Sequence, residues 1–159
     1  FTFMMPVYGA SIGLSASMIV VVMGCFAAAT FSIRLALPYL TRRVTAWRLM
    51  SMALLAAGIV FALFPLARTA APLMALAFFL GVGLGSAQPM VMAMLHDVVP
   101  EGRTGEAVGI RSTVITTGQT VMPLLYGALG SVVGFPAVFW AVAVALAAGS
   151  RIARRRRRP

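Results

Sequence analysis

The sequence predicts an all-α membrane protein of several spans, and three observations carry that prediction. Hydrophobic residues make up 61% of the 159 positions and charged residues 10%, with a mean hydropathy of +0.98. A water-soluble domain would need more polar groups than this to cover its surface. The apolar residues fall into runs long enough to cross a hydrocarbon core, for which a helix needs about 20 residues. These runs lack the two-residue alternation of a barrel strand. The charges stand mostly at the ends of the runs rather than within them. An ordinary globular enzyme, an extracellular disulfide domain and a disordered tail are excluded.

Each element follows from its run. Residues 1–33 carry no charge, which is too long for one helix, and Pro6, Gly9, Ser11, Gly13, Ser15 and Ser17 place a turn near residues 9–16. Residues 1–9 then read as the end of a helix whose start lies outside the chain, and residues 16–40 as the first complete span. Arg42, Arg43 and Arg48 mark a short basic loop before the span 48–67. Thr69 is an N-cap candidate, and Pro72 suits the first turn of a helix running to residue 95. The polar stretch 96–105 follows, then a span over 106–129. Gly127, Gly130, Ser131, Gly134 and Pro136 predict the next turn. A short span over 135–150 leads into the arginine-rich tail 151–159. The expected organisation is one transmembrane bundle over 1–150 and a basic cytoplasmic tail.

The 13 basic residues give a formal charge of +10, which at first sight points to nucleic acid. Their placement argues against it: residues 112–150 have none, and six lie in the last nine positions. Numbered alternately, the loops put Arg42, Arg43, Arg48, Arg103, Arg111 and those six on one side, and Arg68 alone on the other. This bias places the C-terminus and the loops 41–48 and 96–105 in the cytoplasm. Trp47 and Tyr39 then fall at the inner interface, Tyr8 and Tyr126 at the outer one. The arginine tail suits anionic lipids. Cys25 is alone, so it forms no disulfide within the chain.

Polar side chains are unevenly spread. Spans 48–67 and 135–150 carry almost none, whereas 106–129 holds Ser112, Thr113, Thr116, Thr117, Gln119 and Thr120 with Arg111 at its inner end, and 70–95 carries Ser86 and Gln88 before Pro89. Such groups are costly in hydrocarbon unless they are paired or face water. Spans 16–40, 70–95 and 106–129 are therefore the cavity-lining candidates. Arg34, Gln88, Arg111, Thr116, Gln119 and Thr120 are the candidate substrate or gating residues. Arg34 lies one to two turns inside the membrane edge, where it would bind an anionic group or hold a gate by pairing with an acid. The threonines could instead bond their own backbone carbonyls. Gly81 and Gly85, and again Gly105 and Gly109, have the small-xxx-small spacing of close helix packing; Pro89 and Pro123 are expected kinks. Arg42, Arg43, Asp97, Glu101, Arg103 and Glu106 are candidates for an ion-pair latch at the cytoplasmic face. No ligand cluster for a metal, no nucleophile–His pair and no cofactor motif is present; GVGLGSAQP only superficially looks like a dinucleotide fingerprint.

The stretch FFLGVGLGSAQPMVMAMLHDVVPEGRTGEAVGIRSTVITTGQTVMPLLYGAL resembles helices ten and eleven of the major facilitator superfamily. PYLTRRVTAWR stands where the family repeats a Gly, Asp-Arg, Gly-Arg-Arg motif between helices eight and nine. Arg43 matches it, whereas Pro38, Arg42 and Thr45 replace the first Gly, the Asp and the second Gly. The resemblance implies the C-terminal six-helix bundle of such a transporter, incomplete at its N-terminus, running from the end of helix seven to helix twelve. It implies alternating access around a central site, with helices seven, eight, ten and eleven facing the cavity. Export of a small molecule is the expected function, in a bacterial inner membrane. The expected partners are the N-terminal six-helix half, the substrate, and protons or another coupling ion, with no enzyme activity. Any membrane-embedded carboxylate that couples protons would lie in the other half, because residues 1–96 hold no acid. The alternative is a small membrane scaffold or subunit without transport activity of its own.

Overall fold

The computed structural model describes residues 1–41, 44–100 and 102–155. Among them six helices follow one another: α1 (Met4–Ser11), α2 (Ala16–Thr41), α3 (Ala46–Leu63), α4 (Ala70–Val98), α5 (Thr104–Val133) and α6 (Phe135–Arg155), with a single 3-10 turn, Phe64–Leu66, closing α3. There is no strand among the described residues. Among the described residues four helices are long and apolar enough to cross a membrane: α2, α3 continued to Leu66, α4 to His96, and α6 to Ala153. α5 has the length, at 30 residues, but its run of hydroxyl and amide side chains dilutes its apolar character. A helix of that composition settles in a bilayer only with its polar face turned to protein or water.

Two turns are tighter than the composition suggests. The expected break over 9–16 shrinks to residues 12–15, where Gly13 takes a φ of 79°. The break expected from Gly127 onward collapses to one residue: α5 stays helical to Val133, and Gly134, at φ 89°, alone reverses the chain. A side chain with a Cβ is strained at such angles, which is why glycine occupies both. Gly130 sits inside the helix under the ring of Phe135, with no room for a Cβ. At the other end, α6 continues into the tail as far as Arg155. Arginine is a good helix former, and its charge suits a helix C-terminus. Thr69 does occupy the N-cap of α4 with extended backbone, but its hydroxyl makes no capping bond.

Packing follows small residues. A Cβ on Gly81 would run into the carbonyl of Phe26, and one on Gly85 would lie 2.9 Å from the Cα of Thr30. The α2 and α4 backbones meet there, and the Thr30 hydroxyl donates to the Gly81 carbonyl at 3.3 Å. Gly83 faces α3 at Ala53, and Gly58 of α3 faces α6 at Ala143. α3 is thus clasped between α4 and α6, while α5 touches the rest chiefly through α6 and only slightly through α4.

The core sits at the end of the bundle away from the arginine-rich loops. Phe64 and Phe139 are fully buried and stack with ring centroids 5.4 Å apart; Phe61 and Tyr8 close around Phe139. Tyr8, expected at the outer interface, is only 4% exposed, and its hydroxyl donates to carbonyls of the turn after α3, nearest to that of Ala67 at 3.2 Å. A helix end leaves carbonyls without partners, and a buried phenol needs an acceptor, so each meets the other's need. Trp140 does the same from outside, donating its indole N–H to the Ala62 carbonyl in the last turn of α3 at 3.3 Å.

Candidate functional site

Toward the arginine end, the helices part. A cleft of about 390 Å³ opens between α2, α4 and α5, lined by Arg34, Leu37, Gln88, Pro89, Met92 and Arg111. Its depth follows from helix geometry. At a rise of about 1.5 Å per residue, Arg34 lies about 10 Å from the end of α2 and Arg111 about 10 Å from the start of α5. The two guanidinium-bearing residues therefore enter at one level from two helices. Gln88 joins them from the third, its Oε1 accepting from Arg34 Nη2 at 3.4 Å, a long bond.

The cleft has an unusual balance of groups. Both charges are positive. Among the described residues the one ion pair is Arg103 to Glu106, at 3.1 Å and largely exposed, with neither arginine of the cleft in it. The Nε of Arg111 is shut off from solvent without a hydrogen-bond partner. An unmet donor of this kind costs about 1–3 kcal/mol, more for a charged group.

A second cavity of about 530 Å³ continues from the first along α4 and α5, sharing Gln88 and Arg111 and otherwise walled by apolar residues including Val91, Leu95, Ile110 and Val114. An almost wholly apolar groove lies elsewhere, between α2, α3 and α4, with Met52, Ile59, Phe79 and Ser86 among its walls. It offers no free polar group, since the Ser86 hydroxyl already donates to the Gly83 carbonyl at 2.8 Å.

The remaining candidates divide as follows. Thr116, Gln119 and Thr120 are exposed further along α5, outside the cleft, and the Thr120 hydroxyl donates to the carbonyl of Thr116. Pro89 and Pro123 lie inside continuous helices, Pro89 on the cleft wall. Gly81 and Gly85 are packed on α2, whereas nothing lies within 4 Å of a Cβ built on Gly105 or Gly109. Of the latch residues, Arg103 and Glu106 pair; Arg42, Arg43, Glu101 and the side chain of Asp97 lie outside the described residues. Leu37 and Met92, which close the cleft beside the arginines, were not singled out from sequence. The signal available was their spacing, one turn from Arg34 and from Gln88.

A bundle with four helices long and apolar enough to cross a membrane among the described residues, and a polar cleft where two of them meet α5, defines a multi-pass integral membrane protein. The model of the Major Facilitator Superfamily matches residues 1–159, and the chain belongs to that superfamily. It is a transport protein and not an enzyme. No individual curated protein shows significant similarity to it.

Proposed function

We propose that the chain is the C-terminal bundle of a permease that exports a small molecule by alternating access, with the cleft between α2, α4 and α5 on the solute path. The observation that carries this reading is the convergence of Arg34, Gln88 and Arg111 at one depth, on the helices richest in polar side chains. A charged group inside a membrane is expensive, and it persists where it binds or gates. The spans poorest in polar groups, 48–67 and 135–150, belong to α3 and α6, which pack against each other instead. The N-terminal six-helix half would supply the opposite wall and any coupling carboxylate. The arginine-rich loops and tail would face the cytoplasm, against anionic lipids, in a bacterial inner membrane. Assignment to the C-terminal half and to export rests on the likeness of residues 78–129 to helices ten and eleven of the family.

The test is solute flux in vesicles containing the native polypeptide that carries this chain. Arg34→Ala is expected to insert normally and to lower the flux at least about tenfold, the loss of one charge-assisted contact. Wild-type flux from that variant would remove Arg34 from the path.

A further inference from the structure

The chemistry of the cleft narrows what it can hold. Its charged groups are two guanidiniums, and Gln88 brings an amide whose oxygen is shared with Arg34. A cation would be repelled by both guanidiniums, and a neutral solute would leave both without a counter-charge. An oxyanion resolves both problems. Guanidinium offers its donors in a planar fork that matches carboxylate or phosphate, and Arg34 and Arg111 both line this cleft.

Neither Asp97 nor Glu106 is well placed to do this. Asp97 lies about 13 Å further along α4 than Gln88, and Glu106 is paired with Arg103. The adjoining apolar cavity shares Arg111 and Gln88 with the cleft, so a molecule whose anionic group meets the arginines can lay an apolar body along Val91, Leu95, Ile110 and Val114.

We propose that this double cavity binds an amphipathic organic anion, its carboxylate or phosphate between Arg34 and Arg111 and its apolar part between α4 and α5. The proposal names the substrate class of the cleft and rests on the transport reading above. The same chemistry has two sources, a soluble organic acid or the headgroup of an anionic phospholipid.

The native polypeptide is placed in phosphatidylcholine nanodiscs, and thermal unfolding is followed with 2-naphthoate, its neutral amide, and naphthylmethylamine. Naphthoate is expected to raise Tm by a few degrees, while the amide and the amine leave it unchanged. Arg34→Gln and Arg111→Gln are each expected to weaken the naphthoate effect about tenfold or more. Where a Gln variant does not fold, Arg34→Lys and Arg111→Lys keep the charge but lose the fork, and a smaller loss is expected. The same titration in nanodiscs containing phosphatidylglycerol separates the sources. Competition with naphthoate, or an arginine-dependent rise in Tm from the lipid alone, assigns the headgroup to the site; no effect of the lipid leaves the soluble acid.

Equal stabilisation by the amine or the amide overturns the proposal. So does naphthoate affinity unchanged in Arg34→Gln/Arg111→Gln or in the Lys variants, or no effect of either anion. Vesicle flux keeps the two readings apart. Naphthoate binding without flux removes the transport role and leaves the anion site, whereas arginine-dependent flux of uncharged solutes without naphthoate binding does the reverse.

Discussion

The two ends of the bundle are built on opposite principles. At the aromatic end, Phe61, Phe64, Phe139 and Tyr8 exclude solvent, and polar groups at the ends of helices are matched by Tyr8 and Trp140. Beyond the mid-helix crossing of α2 and α4 at Gly81 and Gly85, toward the arginine end, α5 stands off and a charged donor is left unmet. One end satisfies itself. The other leaves a buried donor without a partner. A protein that must hold its helices together while releasing a solute needs both arrangements, and here they are separated along the same helices.

This contrast can be broken from either side. The largest effect is expected at the aromatic stack: Phe139→Ala removes a fully buried ring and should cost about 3–5 kcal/mol in reversible unfolding from mixed micelles. A loss under about 1 kcal/mol would mean that the aromatic end does not anchor the bundle. Next comes a paired glycine test. Gly81→Ala forces a methyl against the Phe26 carbonyl and should cost about 1–3 kcal/mol, the range of an overpacked core. Gly109→Ala, in open space on α5, should be neutral or gain up to about 1 kcal/mol from helix propensity. Equal losses at the two sites would show that α5 is packed in the membrane as tightly as α4. The smallest effect is expected from Glu106→Gln, which breaks an exposed ion pair worth about 0.2–1 kcal/mol. A larger loss of stability, read from the same unfolding curves, would give that pair a role in closing the arginine end.

Runs of apolar residues made the order and number of helices readable, because in a bilayer hydropathy and helix length are the same constraint. Helix ends were less readable. Gly127, Gly130 and Gly134 look alike as letters, yet only Gly134 has the positive φ that turns the chain, and the others serve helix contacts or lie in open space. Tyr8 shows the same limit from another side. Its letter and position suggest an interfacial residue, but which neighbour it faces is decided by where Phe139 and the turn after α3 come to rest. The cleft was half legible. Arg34, Gln88 and Arg111 each stood out as costly in a membrane, but their meeting depends on the azimuth of three helices, and no run of residues encodes that. Gly81–Gly85 and Gly105–Gly109 make the point most sharply: one spacing, one pair at a close crossing, the other with nothing against it.

The bond from Trp140 to the last turn of α3 gives the chain an optical reporter. Its two tryptophans mark opposite ends of α3: Trp47 belongs to its first turn, and Trp140, on α6, is bonded to its last. An indole that donates its N–H to a fixed carbonyl emits according to whether that carbonyl stays in place. With Trp47 replaced by phenylalanine, the colour and quenching of Trp140 would register any loosening of α3 from α6, without a label and in the bilayer itself.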